Sequence, residues 1–238
     1  MSKSAKFEST LEKENLTITS PIISHKSFIK RPEERFSVYS HLIGAILSAI
    51  GTIFLIIRSS GDPSKIIVSI IYGTAVTLLF IASTVCHSLK KSEDHIFFWT
   101  RIDQIAIFFM IAGTYTPISY IYLTGAWRIG ILVSQWTVVG AGLILKLIWI
   151  NSPRWVTAGI YLLQGWMAVI PGYVIFLAMP RVDFIFAILA GFTYSIGALM
   201  YILRKPKLFP GVFGSHDLFH VCVLLGNALF YIVIFRAL

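Results

Sequence analysis

Charge is scarce in this sequence. Asp, Glu, Lys and Arg together make up 13% of the 238 residues, against 56% hydrophobic ones, and the mean hydropathy is +0.79. A chain with so little polar material cannot clothe a globule in a wetted surface, so an ordinary soluble domain is excluded. Cysteine is nearly absent as well. Cys86 and Cys222 both fall inside long apolar runs, where a disulfide framework has no role, and both read as small apolar residues. Cys86 adjoins His87, but at about 100° per residue a helix turns it away from that imidazole. The N-terminal stretch lacks the apolar core and small-residue cleavage site of a signal peptide, so the first apolar run must both target and anchor the chain, and no mature soluble form is expected. No internal repeat is visible, which disfavours an inverted-repeat transporter. Acid is the scarcer sign, with 11 Asp and Glu against 20 Lys and Arg and a formal net charge of +9. Those bases sit in a tail and in short gaps, with no basic helix or aromatic-basic stripe. They therefore read as a membrane-topology signal, and no nucleic-acid partner is expected.

What the chain does have is long apolar runs. Residues 1–35 are polar, mixed in charge and without apolar period, the pattern of a flexible cytoplasmic tail, and residues 36–238 form a transmembrane domain. Seven runs are long enough to cross a hydrocarbon core, which takes roughly 20 residues each: 37–57, 66–88, 101–123, 128–149, 155–178, 182–203 and 214–236. They are continuous rather than alternating, so they predict helices, and the fold class is an all-α seven-helix membrane bundle. Lys and Arg number 15 on the side of the N-terminal tail and 5 on the other, which predicts a cytoplasmic N-terminus and an outside C-terminus in a multi-pass cell-membrane protein. Small residues such as Gly44, Ala45, Ser48, Ala49, Gly140 and Gly142 mark close helix packing. Pro117 and the Pro171-Gly172 pair predict kinks in the third and fifth spans. Gln164 is a polar candidate within a span, and Lys146, near a cytoplasmic end, is expected to snorkel to the surface.

The predicted topology gives each ionisable residue a depth. His216 and His220 open the seventh span four residues apart, which puts their imidazoles about 40° apart on one helix face. Two such imidazoles are half of a tetrahedral Zn²⁺ site, although histidines near a membrane surface can also be simple wet interfacial residues. His87, in the last turns of the second span, falls at the same depth and supplies a third ligand, leaving one position open to water as in a catalytic site. Asp103 opens the third span at that depth and can take the proton of the water, while the alternative for it is a first-turn acid facing Arg101 or the helix dipole. Ser83, one turn before His87, can stabilise an oxyanion or hold the water. Glu34 and His41, two turns apart on one face of the first span, are expected around the ligands or on a proton path. His25 and His95 fall in tail and loop.

The same residues carry a resemblance. Pro32-Glu-Glu-Arg with His41 and Gly44, Ser83-Thr-Val-Cys-His87-Ser-Leu, Arg101-Ile-Asp103, Ala112-Gly-Thr-Tyr-Thr-Pro117, and His216 with His220 resemble the hemolysin III family, from about residue 32 to the end. That family belongs with the progestin and adiponectin receptors and, more distantly, the alkaline ceramidases. The resemblance implies a seven-helix fold with a cytoplasmic N-terminus, zinc held by His87, His216 and His220, and Asp103 and Ser83 near the water of that site. One departure is that bacterial members often carry a His-Phe pair late in the last span, where this chain has Leu229-Phe230.

Together these readings lead to a zinc-dependent, hydrolase-like membrane protein acting on a lipid amide or ester from its cytoplasmic side. The rival readings are a non-enzymatic regulator or receptor with structural zinc, and a pore-forming cytolysin, which the clustering of polar residues at one depth disfavours. The topology predicts that a reporter fused after Leu238 is active outside the cytoplasm and that cysteines placed in the 89–100 loop react with labels only from inside. Labelling of intact cells decides it, and the reverse pattern removes the cytoplasmic site.

Overall fold

Backbone amides have no water to bond to in hydrocarbon, so apolar runs of this length must satisfy them internally, and each run forms a helix. The computed structural model describes residues 32–89, 93–149, 152–206, 208–209 and 213–238, with the side chains of 32–33 and 93–96 also outside the description. The expected tail therefore lies outside the described residues up to residue 31, and residues 32–35 open the first helix. In chain order the helices are α1 (Pro32–Arg58), α2 (Pro63–Ser88), α3 (Glu93–Tyr122), α4 (Gly125–Ile148), α5 (Arg154–Gly165), α6 (Gly172–Ala178), α7 (Arg181–Leu203) and α8 (Ser215–Ala237). Six of these are long and apolar enough to span a membrane. The seventh span is the pair α5 and α6, joined through a 3₁₀ turn at Trp166–Val169 and bent by 56°.

The bend falls where Pro171, lacking an N–H, and Gly172 interrupt the helix, as the sequence predicts. Freed backbone groups at the break find side chains. Gln135 of α4 donates to the Gln164 carbonyl at 3.0 Å, and the Tyr115 hydroxyl of α3 donates to the Gly165 carbonyl at 2.6 Å while accepting from the Ala168 N–H at 2.8 Å. Gln164 itself, buried, donates to the Phe108 carbonyl. Its role is thus to join α5 to α3 beside the break. Pro117 sits inside α3, which continues through it to Tyr122.

Helices α2 and α3 form the centre of the bundle and present the most buried surface, while α1, α4 and α7 turn Leu, Ile and Phe side chains outward to lipid. Hydroxyl pairs join α1 to α2, with Ser48 and Thr77 3.0 Å apart and Ser59 and Ser69 also 3.0 Å apart. Close approach is set by glycine. A Cβ at Gly73 would lie 2.0 Å from the Thr52 Oγ1, and one at Gly142 would lie 2.7 Å from the Phe108 ring. A Cβ at Gly140, expected to pack in the same way, would meet nothing within 4 Å among the described residues, because Gly140 lies two residues away on the outward face of α4. The α7–α8 hairpin is pinned at one end by the ion pair of Asp183 with Arg236, an acid in the first turn of one helix and a base in the last turn of the other. Both charges complement the helix dipoles.

Lys146 departs from expectation. It does not snorkel: it is fully buried, and its ammonium position is closed by the hydroxyls of Ser152 and Thr157 at 2.7 and 2.6 Å. Ser152, just before α5, and Thr157, in its first turns, thus cover the end of the side chain. The tight α1–α2 contact predicts that Gly73→Ala lowers stability by about 1–3 kcal/mol through overpacking against Thr52. Thermal unfolding of the detergent-solubilised protein measures it, and Thr52→Ala added to Gly73→Ala should recover most of the loss.

Candidate metal centre

Three helix ends build the site. His87 lies in the last turn of α2, His216 and His220 lie in the first two turns of α8, and Glu34 lies in the first turn of α1. The Glu34 carboxylate pairs with His87 Nδ1. A proton held there leaves the lone pair of Nε2 facing inward. His216 Nε2 lies 3.2 Å from His87 Nε2 and 3.0 Å from His220 Nε2, and the ligand atoms of all three residues lie within 4.8 Å of one another. A tetrahedral zinc with Zn–N bonds of about 2.0–2.1 Å separates its nitrogens by about 3.3–3.4 Å. The spacing therefore suits such an ion. The chemistry of the donors agrees, because one N–H on His216 can bridge to only one of its two neighbours, and a cation at the centre receives all three lone pairs.

The surroundings hold this geometry in place. Asp217 lies in the first turn of α8. Its Oδ2 accepts from the Gly214 N–H at 2.9 Å, holding the start of the helix, and its Oδ1 accepts from the Ser37 hydroxyl of α1 at 2.9 Å. Sequence reading missed both residues, although an acid three residues after Gly214 is the spacing of a residue that reaches back to a helix start. His41 lies behind the triad. It is 2% exposed, and its ring centroid is 3.9 Å from that of His220. It lies beside the group of three that could hold a metal and is not part of that group. Of the two outlying histidines, His25 and the His95 side chain lie outside the described residues.

Ser83 and Asp103 share a wall with the triad. Both line a cavity of about 540 Å³ that also touches His41, His87, His216 and His220. From there the cavity runs along α3 from Thr100 to Ile118, about 27 Å at 1.5 Å per residue, which is most of the thickness of a hydrocarbon core. Past the histidines its wall is mostly apolar, formed by residues such as Met110, Ile111, Phe184 and Val223. Cys86 lines it too, 3.8 Å from the Thr100 hydroxyl and outside the ligand group, whereas Cys222 packs against Gly197. At the break in the fifth span the wall includes Val169 and Tyr173, which are 65% and 74% exposed, so the cavity meets the lipid-facing surface there.

A model of the family described as "Haemolysin-III related" matches residues 29–231. The chain is 31% identical to "Hemolysin-3 homolog" of Bacillus subtilis (strain 168) over 208 residues, 85% of this chain and 93% of that one. It is also 31% identical to "Hemolysin-3" of Bacillus cereus over 214 residues, 89% of this chain and 94% of that one. Similarity extends to "Adiponectin receptor protein" of Drosophila melanogaster, 28% identical over 229 residues, covering 87% of this chain but 51% of that one.

The geometry predicts that His87→Ala, His216→Ala or His220→Ala lowers bound metal well below one ion per chain, while His25→Ala and His95→Ala retain it. Elemental analysis of the purified variants decides the point. Full retention in His216→Ala excludes the triad.

Proposed function

The chain belongs to the haemolysin-III-related family, and from that premise we propose that it is a zinc-dependent membrane hydrolase of lipid amides or esters, with its site on the cytoplasmic side. It is a multi-pass membrane protein of the bacterial cell membrane. The observation that carries the proposal is the meeting of three imidazole nitrogens, a carboxyl residue and a hydroxyl residue at the head of one long apolar cavity. The cavity favours a substrate with an acyl chain, because its mostly apolar wall runs for most of a bilayer thickness from the polar head. Its opening beside Val169 and Tyr173 offers such a molecule a way in from the bilayer.

Each residue then has a task. His87, His216 and His220 hold the ion, and Glu34 orients the His87 ring so that Nε2 faces inward. Bound there, zinc supplies Lewis acidity to a substrate carbonyl and makes water a stronger acid. Asp103 accepts the proton of the attacking water and returns it to the leaving amine or alcohol. Ser83 donates to the carbonyl oxygen as negative charge develops on it.

A second reading has one observation in its favour. The triad joins α2 to α8 across 129 residues of sequence, as a metal that only ties helices together would. In that reading the chain is a regulator or receptor-like protein. A pore-forming role draws less support, since the mostly apolar cavity wall beyond the histidines offers no aqueous path.

Asp103→Asn separates the enzyme from the structural-metal reading. It keeps the shape and one acceptor but cannot take a proton, so metal content and melting temperature should stay while hydrolysis falls about 10²- to 10⁴-fold. Chelation should lower the melting temperature under both readings, because the ion stabilises only the folded chain. The assay pairs elemental analysis and thermal melting with turnover of ceramides, phospholipids and acyl esters. Absence of turnover above a zinc-free control in the parent protein sets the hydrolase aside.

A further inference from the structure

We propose that Ser152, Lys146 and Thr157 form a second acyl-transfer site, independent of metal, that takes lipid acyl esters at the membrane interface. Lys146 lies in the last turn of α4, Ser152 lies two residues before α5, and Thr157 lies in the first turns of α5. Lys146 Nζ is 2.7 Å from Ser152 Oγ and 2.6 Å from Thr157 Oγ1, and the two hydroxyls are 3.1 Å apart. These are the distances at which a base takes a proton directly. Among the described residues no carboxylate pairs with Lys146, and its side chain is fully buried.

A buried amine held only by two hydroxyls is the arrangement of a serine nucleophile with a lysine base. In its neutral form the amine accepts the Ser152 proton through its lone pair and donates an N–H to Thr157, which fixes its direction. Ser152 is the partly exposed member of the three and the one that a substrate can reach. It directly precedes Pro153, where α5 begins with no side chain capping it. The first N–H groups of that helix, at Arg154 and Trp155, have no acceptor within the helix and would serve a developing oxyanion as donors. The helix dipole adds favourable potential there.

The surroundings set the substrate class. Ile148, Trp149 and Trp155 around the turn are 78%, 47% and 66% exposed, a cluster of apolar and tryptophan side chains at the end of two spans. Tryptophan marks the headgroup level of a bilayer, which is also where the ester carbonyls of lipids lie. In the first half of the reaction Ser152 Oγ bonds to the acyl carbon as its proton passes to Lys146. The carbon–oxygen bond to the alcohol then breaks, and Lys146 returns the proton to that leaving oxygen. In the second half water attacks the acyl carbon and gives a proton to Lys146, the bond to Ser152 Oγ breaks, and the proton returns to the serine. Ester and water are consumed, and acid and alcohol are formed.

The test treats the full-length protein in lipid nanodiscs with an alkyl fluorophosphonate and with p-nitrophenyl octanoate, and locates adducts by peptide mass spectrometry. Phosphonyl and octanoyl adducts are expected on Ser152 and absent from Ser152→Ala. Lys146→Arg keeps donors for both hydroxyls but cannot accept a proton, so labelling of Ser152 should slow about 10²-fold or more. Thr157→Val, which removes only the hydroxyl that directs the amine, should slow it too. Melting temperatures measured alongside show whether each variant is folded. If Lys146→Arg does not fold, Ser152→Ala and Thr157→Val carry the test. No adduct on Ser152 in the parent protein, or equal labelling rates in the folded variants, overturns the proposal.

Discussion

Three imidazoles turned toward one another inside a bilayer are the arrangement on which the rest of the bundle depends. His216 Nε2 lies 3.2 and 3.0 Å from the Nε2 atoms of His87 and His220, a spacing at which one His216 N–H bridges to only one neighbour and a cation between them could receive all three lone pairs. Each neighbouring interaction keeps that geometry fixed. Glu34 orients the His87 ring from α1, Asp217 anchors the start of α8 to both Gly214 and Ser37, and the His41 ring lies against His220. Three helix ends are thereby held in register at one end of the bundle. The Asp183–Arg236 pair holds the α7–α8 hairpin at the other.

Between these ends the bundle contains a cavity, and the price of a cavity in a membrane protein is irregular backbone beside it. The fifth span loses regular helical hydrogen bonds at Trp166–Pro171, and the neighbouring helices replace them through Gln135 and Tyr115. Helix breaks within lipid are tolerated where other side chains satisfy the freed groups, as here. The break also puts cavity wall and lipid-facing surface on the same residues, Val169 and Tyr173. The break in the helix and the opening of the cavity thus share one origin.

The fold was largely legible because hydropathy reports directly on spans. All seven expected runs correspond to described helices, including the bent fifth. The three histidines were legible because spacing on α8 fixes two of them and depth selects the third. Other features were hidden for physical reasons. Gly140 and Gly142 look alike in a string of letters, but only the rotation of α4 decides which of them meets Phe108. Lys146 looked like a surface residue because its position along the span was known and its partners across the turn were not. Asp217 and Ser37 were missed because a hydrogen bond between residues 180 apart leaves no local pattern.

The order of the chain adds a temporal consequence. His87 and Glu34 belong to the first two spans, whereas His216 and His220 lie in the last described one. During synthesis, which runs from the N-terminus at about 5–20 residues per second, only one of the three grouped histidines is present until α8 emerges. Any metal that this group can hold would therefore be captured only on completion of the bundle. A chain stalled after the sixth span lacks both histidines of α8, and the assembled triad marks a polypeptide whose final helix has found its place.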